Sequence, residues 1–291
     1  MRKLIIFMMA VLAAVPAFAQ MKVFVTIAPQ KYFVEQIAGD KVQVGVMVPP
    51  GSNQHSYEPR PRQMADLAQS SIYFAVGDPA EKAWLSKLAS VNKNLRIIQT
   101  DRGIKKLEME EHHHGHEEHG HDDHDHDDHD HGMPDPHIWL DPVLVISQAK
   151  VIADALAQAD PMNKNFYAAN LNGFTNRLKA IDKDIARITQ ASKNKKFMVF
   201  HPSWGYFAAR YKIQQIAVEV EGKSPKPAEL ARLIDTAKKQ KLKVIFAQPQ
   251  FSKKEVETIA KETGARVVFI DPLAENWETN IINVAKAIAL Q

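Results

Sequence analysis

The first half of the chain alternates short apolar runs with longer stretches in which apolar residues recur every three or four positions. The short runs are typical of buried strands and the longer stretches of amphipathic helices, so the alternation predicts a parallel α/β sheet. The same alternation returns after residue 196, and we therefore predict two parallel-sheet α/β lobes of four strands each. The predicted strands cover residues 22–27, 42–48, 72–76 and 95–98 in the first lobe and 197–200, 213–218, 244–247 and 267–270 in the second.

A single long helix is predicted between the two lobes. Asp160 and Pro161 are typical of a helix start, and no further proline occurs before Pro202. Apolar residues at alternating steps of three and four form one stripe along this helix, namely Leu171, Phe174, Leu178, Ile181, Ile185 and Ile188. A helix of about 30 residues is about 45 Å long. Such a rod is stiffer than a loop, so we expect the lobes to rock slightly and not to close through a wide hinge.

The N-terminus has the pattern of a cleavable export signal. Two basic residues precede an apolar run over residues 4–15, and Ala17-Phe18-Ala19 fits a small-residue cleavage site. The run is too short for a membrane anchor, which needs about 20 residues. The chain has no cysteine, which excludes a lipid-modified N-terminus and disulfides. We therefore predict that residues 1–19 are removed and that the mature protein diffuses in a periplasm.

The formal net charge of +3 conceals an uneven distribution. Residues 108–131 contain 11 acidic residues and neither lysine nor arginine, so the rest of the chain is markedly basic. An exported protein rarely meets nucleic acid, and the lysines are scattered as on solvated helix faces, so we expect no nucleic acid partner. Since residues 108–132 hold almost nothing that builds a core, we predict a disordered insertion there. The predicted organisation is a first lobe over 20–160 with this insertion, a linking helix over 161–191 and a second lobe over 192–291.

Ten of the 13 histidines lie in this insertion, interleaved with carboxylates. Imidazole and carboxylate groups suit zinc and related divalent ions, whereas a merely solvating acidic linker needs no histidine. An internal tract mixed with acidic residues is also unlike a purification tag. Because a disordered segment must be ordered for each ion it binds, we predict weak metal sites here. The ten are His112, His113, His114, His116, His119, His121, His124, His126, His129 and His131.

The other three histidines, His55, His137 and His201, lie at junctions between predicted elements. His55 and His201 follow strands, and His137 precedes a helix. Ligands bind parallel α/β sheets beyond the carboxyl ends of the strands, so these are positions where a site forms. A lone histidine is more often a surface or core residue than a ligand. Three at such junctions, with no other histidine in the folded part, favour a metal site.

Three imidazoles leave one position in the tetrahedral shell of a zinc ion. Asp271 is the candidate for that position, because it ends a predicted strand and is followed by proline, as His201 is. A helix N-cap is the alternative role for Asp271. For Asp141 we favour the N-cap role, although its carboxylate could also orient His137 from behind.

The segments that carry these residues resemble, in the same order, the motifs of the periplasmic zinc-binding proteins of ABC importers, within the wider group of zinc and manganese solute-binding proteins. Residues 51–59 resemble the first histidine motif, 137–142 the second, 200–206 the third, and 269–274 the terminal aspartate motif. Each motif is weak alone, but the four in this order are highly specific. The resemblance covers essentially the whole mature chain, including the long helix and the acidic histidine insertion.

The resemblance implies two four-stranded lobes joined by the helix, with the ion in the cleft between them. His55 and His137 would come from the first lobe, and His201 and Asp271 from the second. It also implies that the loaded protein docks on a membrane permease driven by a cytoplasmic ATPase. Manganese members usually carry glutamate at the third position, so His201 favours zinc. Some zinc members have glutamate before the first histidine, where this chain has Gln54. This difference favours Asp271 or water as the fourth ligand.

Other functions use parts of the same pattern. A zinc hydrolase would activate water on three histidines, but it would need a general base, and no HExxH or comparable motif supplies one. A metal buffer or adhesin would need only the histidine tract, and a manganese-binding member of the same family is a further alternative. We predict a monomeric protein, not an enzyme, that captures Zn²⁺ with high affinity in the periplasm and delivers it to an ABC permease.

Overall fold

A computed structural model describes residues 20–109, 133–219 and 226–291 of the chain. The predicted export signal, residues 1–19, and the ten histidines between 112 and 131 lie outside the described residues, so those predictions stay predictions. No helix within the described ranges is long and apolar enough to cross a membrane.

Four parallel strands form the sheet of the first lobe, and helices alternate with them. In chain order the elements are β1 (Met21–Val25), α1 (Ala28–Ala38), β2 (Val42–Val46), α2 (Pro61–Ala68), β3 (Ile72–Ala75), α3 (Glu81–Val91) and β4 (Arg96–Gln99). The strand order across the sheet is β2-β1-β3-β4. The inner strand β3 is buried along its whole length, as its unbroken apolar run predicts. The first predicted α/β lobe is confirmed.

Two consecutive helices, α4 (Pro142–Ala159) and α5 (Lys164–Ala191), connect this sheet to the second one. Asp141 caps α4, because its Oδ1 accepts hydrogen bonds from the backbone N–H groups of Val143 and Leu144 at 2.7 and 3.4 Å. The N-cap role favoured for Asp141 is therefore confirmed.

The second lobe repeats the plan of the first. Its elements are β5 (Lys196–Val199), α6 (Gly205–Tyr211), β6 (Gln214–Ala217), α7 (Pro227–Lys239), β7 (Val244–Ala247), α8 (Lys253–Thr263), β8 (Arg266–Phe269) and α9 (Trp277–Ala289). The strands are parallel, in the order β6-β5-β7-β8. The two four-stranded sheets agree with the predicted fold, whereas the domain boundaries at residues 160 and 191 stay a prediction.

The linking helix α5 packs on both lobes. Its 28 residues give it a length of about 42 Å, and a short turn over Pro161–Asn163 precedes it. It contacts α1 and α4 on one side and α6 and α9 on the other. Four members of the predicted stripe are buried in these contacts, namely Phe174, Leu178, Ile181 and Ile185. The apolar stripe therefore explains why this helix joins the lobes as a packed rod.

One apolar core extends through both lobes. It includes Val23 and Phe74 of the first sheet, Phe174 of α5, and Phe197 and Trp277 of the second lobe, all of them buried. Smaller clusters fill the outer side of each sheet. Because the core is continuous, the lobes are packed against each other as well as connected by the helix.

Candidate metal centre

Three histidines from separate segments converge in the cleft between the lobes. One ring nitrogen of each of His55, His137 and His201 lies within 4.8 Å of the others, and the ring centroids are 5.1–5.3 Å apart. His137 and His201 are buried, and His55 is partly exposed. The structure thus brings together the three histidines that the sequence nominated as ligands.

Side-chain hydrogen bonds fix the backbone at these histidines. His55 lies in a short turn after β2, where the Asn53 side chain accepts a hydrogen bond from the His55 N–H at 2.9 Å. His137 opens the short turn that leads into α4. His201 follows β5, and the side-chain amide of Gln248 accepts from its N–H at 3.1 Å and donates to its carbonyl at 2.7 Å. The strand ends and turns therefore position the rings without help from an ion.

A buried carboxylate lies against the Nδ1 atom of each imidazole. The pairs and their distances are His55–Asp78 (2.7 Å), His137–Asp135 (2.6 Å) and His201–Glu219 (3.0 Å). A carboxylate beside Nδ1 favours the tautomer in which Nδ1 carries the proton, so that Nε2 keeps its lone pair. All three rings are thereby prepared to bind a metal ion through Nε2.

The Nε2 atoms meet at the centre of the cluster. His55 Nε2 lies 3.2 Å from His201 Nε2, and the side-chain amide nitrogen of Gln54 lies 3.0 Å from His55 Nε2 and 3.3 Å from His137 Nε2. Nitrogens on one tetrahedral zinc ion, each bound at about 2.0–2.1 Å, are about 3.3 Å apart. Two lone pairs at this separation repel unless a proton or a cation lies between them. The spacing therefore suits a divalent cation with nitrogen ligands.

Burial controls the charge of the groups around the centre. Burial, with the neighbouring His55 and His201, holds the pKa of His137 well below its usual value, so this ring is neutral at neutral pH. Burial raises the pKa of Asp135 to about 7, although the His137 N–H bonds to it. Burial also opposes ionisation of Asp78, but the hydrogen bond and charge of His55 outweigh burial and lower the pKa of that carboxyl.

The structure does not place Asp271 in the histidine cluster. Its Oδ1 accepts hydrogen bonds from the side-chain amide of Gln250 at 2.7 Å and from the backbone N–H of Leu273 at 2.9 Å. Asp271 is not a helix N-cap either, since α9 begins later, at Trp277. The role of Asp271 as fourth ligand stays a prediction.

The carboxylate that orients His137 is Asp135. Asp135 Oδ1 is bonded to both the backbone N–H of His137, at 2.9 Å, and its Nδ1, at 2.6 Å. Asp141, which the sequence suggested for this role, caps α4 and lies 3.4 Å from Arg210. Gly205 leaves the space that Asp135 needs, because a Cβ there would come within 2.9 Å of Asp135 Oδ2.

A cavity of about 410 Å³ adjoins the cluster. His55 and His201 line it, together with Met109 and Met133. These two methionines end the described residues on either side of the histidine-rich insertion, and they are paired, since the Met109 N–H donates to the Met133 carbonyl at 3.0 Å. The described residues that flank the insertion therefore lie beside the candidate centre.

Comparison with known proteins decides the family. Residues 23–289 match the family described as zinc-uptake complex component A, periplasmic. The chain belongs to this zinc-uptake family. Membership confirms the resemblance noted in the sequence and the function predicted from it, that of the solute-binding component of a zinc transporter.

Members of the zinc-uptake family share both sequence and fold with this chain. The high-affinity zinc uptake system protein ZnuA of Bacillus subtilis is 30% identical over 257 residues, which cover 87% of this chain and 79% of that protein. A crystal structure of ZnuA is 43% identical, with a TM-score of 0.84, and the match covers 94% of this chain and 99% of that one. A zinc-bound ZnuA deletion mutant is 42% identical, with a TM-score of 0.84, over 93% and 97% of the two chains.

The three carboxylates behind the histidines were not among the predicted site residues. Asp78 and Glu219 lie just beyond the ends of β3 and β6, so the strand-end rule that singled out the histidines also applies to them. Asp135 lies between two prolines, two residues before His137. A carboxylate in such a place is equally typical of an ordinary loop, and no local pattern marks it as a partner of the centre.

Proposed function

We propose that this protein binds one Zn²⁺ ion through the Nε2 atoms of His55, His137 and His201 and delivers it to the membrane permease of an ABC importer. The observation that carries the proposal is the orientation of the rings. Each ring has a carboxylate at Nδ1, which leaves Nε2 free to face the shared space. Membership of the zinc-uptake family supports the delivery step.

Zinc fits this donor set better than manganese does. The groups that converge are imidazoles, and the carboxylates lie behind the rings. Imidazole suits zinc, copper and nickel, whereas carboxylates and water suit manganese and magnesium. The relatives described as zinc-uptake and zinc-bound proteins support the same choice.

We propose Asp271 as the fourth ligand, with Gln54 and water as its competitors. The strand-end position of Asp271 supports it, but binding requires its carboxylate to turn from Gln250 or to use its second oxygen. Gln54 lies nearer to the rings, and a half-turn of its amide would bring its oxygen to the ion. Zinc titration of Asp271→Asn and Gln54→Ala compares the two, since the true ligand gives the larger rise in Kd.

We propose reversible binding at this centre and no catalysis. A zinc hydrolase needs a general base within reach of the metal-bound water. In the described part of the chain, the carboxylates that line the cavity are Asp78 and Glu219, and an imidazole engages each of them. These carboxylates are used to orient the ligands.

The remaining features fit a periplasmic carrier. We propose that residues 1–19 are cleaved, that the mature protein is a monomer with no nucleic acid partner, and that its permease is driven by a cytoplasmic ATPase. The histidine tract would hold further ions weakly. Met109 and Met133, which flank the tract in the chain, are bonded to each other beside the cavity, so ions released by the tract would be close to the cleft.

Zinc titration of alanine variants tests the proposal. Replacing any one of His55, His137 or His201 should raise the Kd of the tightest site by orders of magnitude, with the circular dichroism spectrum unchanged. His112→Ala, in the tract, is the matched control and should leave that Kd unaltered. If two of the three cleft variants keep the Kd of the unsubstituted protein, the assignment is wrong.

A further inference from the structure

Two buried tryptophans cross the boundary between the lobes. The indole N–H of Trp139, in the first lobe, donates to the Pro272 carbonyl of the second lobe at 2.8 Å. The indole N–H of Trp277, at the start of α9 in the second lobe, donates to the Trp139 carbonyl at 2.8 Å. Both tryptophans are almost completely buried. The two bonds form a reciprocal pair, here named the indole clasp.

The indole clasp lies beside the candidate metal centre. The Trp139 ring is 5.1 Å from the ring of His137, and Pro272 follows Asp271 in the chain. The other tryptophan of the clasp, Trp277, packs edge-on against Phe33 of α1, with the ring centroids 5.4 Å apart. The clasp therefore connects the segment that carries His137 to the segment that follows β8.

We propose that Trp139 and Trp277 are positioning residues of the metal centre. The indole clasp fixes the separation of the lobes, and this holds His137 at its distance from His201 before zinc arrives. The inference rests on the proposed function, since it concerns the spacing of the same ligands. It adds that the two lobes behave as one body in the metal-free protein.

Opening the cleft would break both bonds of the clasp together. An indole N–H can only donate and a backbone carbonyl can only accept, so these groups would need water as their new partner, and water would have to enter a boundary that is now buried. The aromatic surface of Trp277 would also lose its packing. The ion pair between Lys31 and Glu275 crosses the same boundary, but it is partly solvent-exposed, and such pairs contribute little. The buried clasp is thus a stronger restraint than this ion pair.

Distances between the lobes test the clasp. The chain has no cysteine, so Lys82→Cys in α3 and Lys254→Cys in α8, both exposed positions, can carry spin labels. Without zinc, the otherwise unsubstituted protein should give one narrow distance distribution that zinc does not shift. Trp139→Phe and Trp277→Phe keep an aromatic ring and remove the donor. They should broaden or lengthen the metal-free distribution, and zinc should restore it.

Zinc affinity should fall with the population of the closed form. If a variant holds the lobes open for about nine-tenths of the time, its apparent Kd rises about tenfold. Trp84→Phe is the matched control, because Trp84 is buried within the first lobe and donates to the Tyr73 hydroxyl at 3.3 Å. That change should lower the melting temperature and leave both the distance and the Kd unaltered. Unchanged metal-free distances in both clasp variants, or an equal effect of Trp84→Phe, would overturn the proposal.

One measurement requires no tryptophan substitution. In the metal-free protein, the indole protons of Trp139 and Trp277 should exchange with solvent far more slowly than an exposed indole proton, because the clasp is closed. Rapid exchange that only zinc slows would overturn the proposal. If the unsubstituted protein fails to bind zinc at the three histidines, the proposed function is refuted instead, and the metal-free distances and exchange rates still decide the clasp.

Discussion

Replacing Asp135 with asparagine removes a charge behind the metal centre and keeps the shape of the side chain. Asp135 Oδ1 is bonded to the His137 N–H at 2.9 Å and to its Nδ1 at 2.6 Å, and an asparagine oxygen can accept both bonds. A hydrogen bond to a charged group contributes about 1.5–3 kcal/mol and a neutral one about 0.5–1.5 kcal/mol. The difference, about 1–1.5 kcal/mol, corresponds to a rise of about 5- to 12-fold in the zinc Kd.

The same substitution should not destabilise the metal-free protein. Burial raises the pKa of Asp135 to about 7, so above that pH the folded state holds a carboxylate that the unfolded state ionises more easily. A carboxyl with a raised pKa lowers the free energy of unfolding as pH rises through the range between its unfolded and folded values. Asparagine removes this penalty, and the metal-free melting temperature at pH 8 should therefore stay the same or increase.

Chelator-competition titration of zinc and thermal melting of the metal-free protein measure the two effects of Asp135→Asn separately. Asp184→Asn on α5 is the matched control, since Asp184 is half-exposed and pairs with Arg187. Gly205→Ala should also weaken zinc binding, because its Cβ would press on Asp135 Oδ2. An unaltered Kd in Asp135→Asn would refute the proposed role of the carboxylate, and a joint fall in affinity and melting temperature would indicate general damage.

Three further predictions use the same zinc titration. Affinity should rise with pH, because protons compete for the imidazoles. The depressed pKa of His137 keeps that ring neutral, and deprotonation of Asp135 near pH 7 strengthens zinc binding. Zinc affinity should fall steeply below about pH 6. A flat affinity profile between about pH 5.5 and 7.5 would contradict histidine ligation. Asp271→Asn should weaken binding less than loss of a histidine, since water can take the vacant position, and an unchanged Kd would remove Asp271 from the shell. Deleting residues 110–132 should leave one tight zinc per chain and remove the weaker ions, and disappearance of the tight site would contradict the cleft assignment.

The pattern of apolar residues predicted most of the fold. The strand predicted at 244–247 coincides with β7, and the others differ from the observed strands by one or two residues at one or both ends. Repeated short apolar runs and a stripe with steps of three and four are strong signals, because burial on both faces of a sheet or along one face of a helix leaves few alternatives. The ends shift because backbone hydrogen bonding, which the pattern does not show, decides where a strand stops.

The candidate site was predicted less completely than the fold. Their positions at junctions between predicted elements nominated His55, His137 and His201, and the structure brings them together. Contacts between residues that are distant in the chain could not be predicted from positions in the sequence. Glu219 contacts His201 only because β5 and β6 are neighbours in the sheet. The Trp139 indole N–H donates to the Pro272 carbonyl of the other lobe. Such pairings depend on the packing of whole elements.

A crystal structure with bound zinc, with anomalous scattering recorded at the zinc absorption edge, tests the central claim most directly. One strong peak per chain should lie in the cleft, about 2.0–2.1 Å from the Nε2 atoms of His55, His137 and His201, with the three Nδ1 atoms still on their carboxylates. A zinc ion bound through Nδ1, or a strongest peak outside this cluster, would contradict the account.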